Sequence, residues 1–122
     1  MKKILVIDDE VHLQELYREE LSSEGYVVSV AKDGFEGIQL CEKENPDLVI
    51  VDIRMPGMDG LETIARILNQ KQRRFVIIHS AYPHYQDNFM SWNADAFIVK
   101  SSDLSELKKK VSQLLASVET IG

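Results

Sequence analysis

Cysteine is almost missing from this chain. Cys41 is the single one in 122 residues, so no internal disulfide can form, which fits a reducing compartment. Long apolar runs are missing as well, and no stretch approaches the roughly 20 apolar residues of a membrane span. The opening MKKILVI is charged and then apolar, but its apolar run stops after four residues at Asp8, too short for the core of a signal peptide. Basic charge is scarce: 14 Lys and Arg stand against 20 Asp and Glu, a net charge of −6. That balance argues against a general nucleic-acid binder, which carries a basic patch. The chain also has no low-complexity tract, no Pro- or Gly-rich linker and no long repeat. The expectation is a single domain, residues 1–122, with no output domain. It is expected to be soluble and cytoplasmic, with no direct DNA binding and no membrane contact. Its output would then act through a surface or a partner.

What is present is enough apolar material for a sizeable core, 44% of residues. It is arranged in short runs that alternate with amphipathic stretches. Ile4–Ile7, Val27–Val30, Leu48–Val51, Phe75–Ile78 and Ala96–Val99 are short and rich in β-branched or aromatic residues, and they read as strands. Most lack polar alternation, as strands buried on both faces of a parallel sheet do. Between them lie helical stripes. Leu13, Leu16, Tyr17 and Leu21 form the first, closed by Gly25. Phe35, Ile38 and Cys41 form the second, stopped by Asn45-Pro46. Leu61, Ile64, Ile67 and Leu68 form the third, and Tyr85, Phe89 and Trp92 a weaker fourth. Leu104, Leu107, Val111, Leu114, Leu115 and Val118 form a long fifth, with Ser102 or Asp103 as its cap. This alternation predicts an α/β fold with a five-stranded parallel sheet and helices on both faces.

In such sheets ligands bind beyond the carboxyl ends of the strands, where the strand order reverses. The residues at those ends are Asp8 and Asp9 after the first strand and Asp52 after the third. Ser80 follows the fourth and Lys100 the fifth. If the first and third strands are neighbours, three carboxylates converge. Alone they would repel, so something must offset them. Mg²⁺ is suited to that, with Mn²⁺ as the alternative ion, because it takes oxygen ligands and is held by one or two carboxylates plus phosphate oxygens. A lysine ammonium and a serine hydroxyl opposite complete a seat for a phosphoryl group. A carboxylate among them can act as nucleophile and become an acyl phosphate. One such acid alone would read as an ordinary polar strand end. Three with Lys100 and Ser80 on one edge do not.

The segments ILVIDDE, DLVIVDIRMPGMDGLE, IIHSA and ADAFIVK together resemble the receiver domain of two-component response regulators, over about residues 2 to 118. The resemblance implies a flavodoxin-like, doubly wound sheet of strand order 2-1-3-4-5. It implies that Asp52 accepts a phosphoryl group from the phosphohistidine of a histidine kinase or histidine phosphotransfer protein. It implies that Asp9, Asp52 and the backbone carbonyl of Arg54 bind Mg²⁺, while Asp8 holds a metal-bound water. Lys100 would pair with the phosphoryl oxygens, Ser80 would be the hydroxyl of the switch, and Phe97 the aromatic that turns inward. The downstream partner is not named by the sequence. Should the chain dimerise, the family implies the face of its fourth and fifth helices.

Three features depart from the family. Lys100 is followed by Ser101 where a cis proline is usual, and a cis bond before a non-proline residue costs ~2.5–4 kcal/mol, so either the bond is trans and the loop differs or the fold forces it. The segment from Ser80 to Lys100 is short, carries Pro83, and has Asn93 in place of a glycine, which predicts a short or irregular fourth helix. Arg54 and Tyr82 stand two residues beyond Asp52 and Ser80 and are large enough to obstruct water, which predicts a slow loss of the phosphoryl group. Two other functions compete. A haloacid-dehalogenase-like Mg²⁺-dependent phosphatase would need an Asp-x-Asp after the first strand, and here Asp8 and Glu10 match it poorly. A degenerate receiver acting as a constitutive binding module would not need the intact acid set.

The remaining polar features read blandly. His12, His79 and His84 are too scattered for a metal site and read as solvated or hydrogen-bonded. Cys41 reads as packing and Asp59 as a helix cap. NQKQRR (69–74) reads first as a solvated face and second as a weak partner contact, as does Lys108-Lys109-Lys110.

Overall fold

A computed structural model describes residues 1–83 and 92–121. Five strands, β1 (Lys3–Ile7), β2 (Val27–Ala31), β3 (Leu48–Val51), β4 (Phe75–Ser80) and β5 (Ala96–Val99), pair in parallel in the order β2-β1-β3-β4-β5. Each expected strand is present within one or two residues of its expected bounds. The helices are α1 (Val11–Ser22), α2 (Gly34–Glu44), α3 (Gly60–Leu68) and α4 (Ser105–Ile121). The weak stripe at Tyr85 and Phe89 lies outside the described residues. Trp92, its last member, is half-buried against the core.

The strands are apolar throughout because successive side chains enter two different cores. Ile4, Val6, Ile50, Ile77 and Ile98 meet Tyr17 and Leu21 of α1 and Leu107, Val111 and Leu115 of α4. Leu5, Ile7, Val49, Val51, Val76 and Ile78 meet Cys41 of α2 and Ile64 and Ile67 of α3. The sheet is therefore the middle of three layers.

Helix ends follow the local chemistry. Asp33 and Asp59 cap α2 and α3, each accepting a backbone N–H three residues on, from Glu36 and Glu62 at 2.9 Å. Asp103 accepts the N–H of Ser105 at 2.9 Å at the start of α4. Asn45 ends α2 in the left-handed conformation (φ 50°), and its N–H returns to the Cys41 carbonyl. Asn93 is also left-handed (φ 62°), so it does there what glycine does elsewhere. No peptide bond among the described residues is cis, so the Lys100–Ser101 bond is trans and this loop differs from the proline-bearing family pattern.

Strand order reverses between β1 and β3. Ile7 pairs with Val51 across them, so the next residues, Asp8 and Asp52, emerge side by side.

Candidate functional site

Asp8 and Asp52 are held in place by the ends of the ladders. The Asp8 N–H donates to the Ala31 carbonyl and the Asp52 N–H to the Ile7 carbonyl, both at 3.1 Å. Both carboxylates are nearly closed off from solvent, at 1% and 6% exposure. The loop after β3 then turns back into α3, where the Gly60 N–H donates to the Ile53 carbonyl at 2.7 Å. A Cβ at Gly60 would lie 2.1 Å from the Asp52 carbonyl oxygen, a backbone atom that cannot move aside. Glycine is required there for α3 to start so close beneath the acid.

Lys100 enters from the end of β5, its N–H held by the Ser80 carbonyl at 2.8 Å. Its Nζ lies 2.9 Å from Asp8 Oδ2 and 2.9 Å from Asp52 Oδ2, and 3.9 Å from Glu10 Oε1. The contact with Asp52 has hydrogen-bond geometry. The one with Asp8 is an ion pair of the same length. Burial would lower the Lys100 pKa, but the two carboxylates outweigh it and hold the ammonium above its ordinary range. For Asp52 burial wins: its pKa is raised, with Lys100 opposing and Asp8 reinforcing the shift. The cleft is thus an acid cluster only partly neutralised.

Asp8, Glu10 and Asp52 each offer an oxygen, and these oxygens lie within 4.8 Å of one another. Hard oxygen donors gathered at that spacing, two of them on buried carboxylates, fit a divalent cation. Asp9 is exposed and is not in this trio. Glu10, which the resemblance does not assign to the metal, is likewise exposed but lies within reach of Lys100. Both lie in the turn into α1, where the Glu10 N–H donates to Asp8 Oδ1 at 3.0 Å, and that turn brings Glu10 back toward Lys100. Of the triplet 8–10 only Asp8 is buried.

The other candidates surround this cluster. Ser80 is fully buried, and its Oγ accepts the Tyr82 N–H at 3.0 Å. Phe97 is 6% exposed and packs in the α2–α3 core, in register with Ile78. The Arg54 N–H donates to Asp52 Oδ1 at 3.3 Å, and its guanidinium lies 4.9 Å from the centre of the Tyr82 ring. That cation–π contact joins the loops after β3 and β4 beside Asp52.

Below the cluster the structure holds a polar pair that the sequence did not reveal. Tyr17 of α1 and His79 of β4 are hydrogen-bonded through Tyr17 Oη and His79 Nδ1, both buried. Burial, reinforced by the Lys100 charge, pushes the His79 pKa from 6.5 down to about 4. Folded His79 therefore stays neutral where the unfolded chain takes up a proton. Its contribution to stability is present above about pH 6.5 and is lost as pH falls toward 4. By pH 5 the loss is about 2 kcal/mol, one proton over about 1.5 pH units. Asp52 acts in the opposite sense at the acid end, because its raised pKa lets the folded form take up a proton first. Urea unfolding at pH 7.5 and pH 5.0 should show the loss, and a His79→Asn variant should lack most of it. An equal pH dependence in the variant would put the titration elsewhere.

Residues 4–112 match the response regulator receiver domain. The chain belongs to that family. Sporulation initiation phosphotransferase F of Bacillus subtilis is 32% identical over 116 residues, covering 93% of this receiver domain and 94% of that protein. Among transcriptional regulators that it also matches, such as PhoP of Bacillus subtilis, the chain spans about half the length, 50%. The response regulator TrrA from Thermotoga maritima, solved with Mg²⁺-BeF, is 46% identical with a TM-score of 0.87, over 93% of this chain and 99% of that one. TrrA has also been solved in complex with the histidine kinase ThkA, with a TM-score of 0.86, 46% identity and coverage of 94% and 99%. A CheY-like receiver from Methanospirillum hungatei superposes at a TM-score of 0.91 and 27% identity, over 100% of this chain and 99% of that one. Among the described residues no helix is long and apolar enough to cross a membrane.

Proposed function

We propose that this receiver domain is a phosphoacceptor in a two-component phosphorelay, taking a phosphoryl group from a histidine kinase or histidine phosphotransfer protein onto Asp52. The observation that carries this reading is the convergence of Asp8, Glu10 and Asp52 on one ammonium, Lys100, at the point where the strand order reverses. A phosphotransferase among its relatives and a kinase-bound regulator among its neighbours support it.

An Asp52 carboxylate oxygen would attack the phosphorus of the phosphohistidine. The P–N bond breaks, its electron pair stays on the imidazole nitrogen, and that nitrogen takes up a proton. Asp8, Asp52 and Glu10 would hold Mg²⁺, the ion of the TrrA complex, with Asp9 and the Arg54 carbonyl as further ligands in the family pattern. When bound, the ion supplies positive charge to the phosphoryl oxygens. Lys100 would add its own charge, exchanging part of its present contact with Asp8 and Asp52 for the phosphoryl oxygens. Ser80 would donate its O–H to a phosphoryl oxygen, giving up the Tyr82 N–H. Phe97, buried on the neighbouring strand β5, would then adjust, so charge at the cleft would bias a surface elsewhere on the domain.

The test is incubation with acetyl phosphate and Mg²⁺, read by intact mass. One phosphoryl adduct is expected, and EDTA should abolish it. No adduct from this donor or from a phosphorylated histidine kinase, on folded protein, would favour the degenerate binding module.

The Arg54–Tyr82 contact would shield the acyl phosphate from water. An Arg54→Ala, Tyr82→Ala double variant should lose its phosphoryl group at least severalfold faster than wild type. An unchanged half-life after donor removal would refute the shielding.

A further inference from the structure

Opposite the acid cleft, at the amino edge of the sheet, the basic segment 69–74 is mostly exposed, as expected of a solvated face, but its last residue is not. Arg74, just before β4, is 9% exposed. Its guanidinium donates to two neutral amide oxygens, Gln70 Oε1 at 2.7 Å and Asn45 Oδ1 at 3.2 Å. The Cys41 thiol is its other polar neighbour, and the guanidinium opposes the rise that burial gives the thiol pKa. None of the ion pairs among the described residues includes it. Buried arginine is ordinarily matched by an acid, because a desolvated charge is costly when unpaired.

A cavity of about 660 Å³ opens beside it, between the carboxyl ends of α2 and α3. Lys71 and Arg66 add positive charge to its wall, against one acid, Glu42. Arg66 is held by Glu62 at 2.8 Å, but that pair is exposed and weak enough to exchange. Gln70, Gln72 and Asn69 add amide donors. No aromatic side chain among the described residues lines it.

We propose that this cavity binds a compact, multiply charged oxyanion, with Arg74 and Lys71 as its principal cations. An anionic oxygen is a stronger acceptor for a guanidinium than the amide oxygens that now engage it. The volume lies in the range of small-ligand pockets. The site is at the other end of the strands from Asp52, so its occupation does not depend on phosphoryl chemistry there.

The test uses the full chain with EDTA, at fixed ionic strength, titrated separately with inorganic pyrophosphate and with citrate and followed by ¹H–¹⁵N spectra. Saturable shifts are expected at residues 66 and 69–74 and near 38–45. Saturation by pyrophosphate alone identifies a phosphate ligand, and by citrate alone a carboxylate ligand. Arg74→Gln should weaken binding at least tenfold. Should that variant not fold, Lys71→Glu on the exposed surface should weaken it at least fivefold, while Lys109→Glu on α4 leaves it within twofold. Shifts that never saturate, or that respond equally to Lys71→Glu and Lys109→Glu, overturn the proposal as general charge screening. Saturable shifts centred on the acid cleft overturn it as well.

Discussion

Asp52→Asn is expected to take up no phosphoryl group from acetyl phosphate, under conditions that convert the wild type to a single adduct. The amide has nearly the shape of the carboxylate, so it can occupy the space between Lys100 and the Arg54 N–H, each of which now donates to an Asp52 oxygen. It carries no ionised oxygen, and its nitrogen lone pair is delocalised, so the nucleophile is gone. Stability should move little. The variant loses one charge-assisted bond to Lys100 but also removes one of two buried acids that oppose each other. These terms have opposite sign and each is about 1–3 kcal/mol. Intact mass and a thermal melt on the same sample separate loss of chemistry from loss of fold. An adduct that persisted in the variant would move the acceptor to another carboxylate, with Asp8 the first to examine.

Lys100→Met is expected to destabilise the fold by about 3 kcal/mol at pH 7.5, the lower end of the range for removing one partner of a buried charge group. Nζ sits 2.9 Å from both Asp8 and Asp52, and no other described cation pairs with either acid. Without it the two carboxylates face each other at nearly full burial. The Asp52 pKa, already raised by burial, should then rise further. An acid with a raised folded pKa loses stability as pH increases, so the deficit against wild type should shrink as the pH is lowered toward 5. Mg²⁺ should restore part of the loss, since binding the folded state alone adds stability by mass action. Urea unfolding with Mg²⁺ and with EDTA reads both effects. A deficit independent of pH and of Mg²⁺ would mean that Lys100 stabilises through its alkyl packing and not through its charge.

Much of this was legible in the sequence because two physical signals were strong. Five short β-branched runs without polar alternation have one good solution, a parallel sheet covered on both faces. Asp8, Asp52, Ser80 and Lys100 each stand at the carboxyl end of such a run, so predicting the strands also predicted one shared edge. Capping was local enough to read as well: Asp59 and the Asn45-Pro46 stop act within a few residues of themselves.

The tertiary structure decided what depends on side chains that meet from distant segments. Asp8 of the triplet 8–10 is buried while Asp9 and Glu10 are exposed, and the turn into α1 brings an oxygen of Glu10 within 4.8 Å of Asp8 and Asp52. Tyr17 and His79 are 62 residues apart, and each alone reads as a core aromatic or a scattered histidine, yet packing of α1 on β4 makes them a buried hydrogen-bonded pair. Arg74 belongs to a segment whose composition signals solvent, but its place at the entry to a central strand buries it between Asn45 and Gln70. Composition and spacing determine which chemistry a residue can offer and on which edge it lies. Only the packed fold sets desolvation and the distance between charges, and those two quantities decide which acids share a cation, which histidine stays neutral and which arginine lacks an acid.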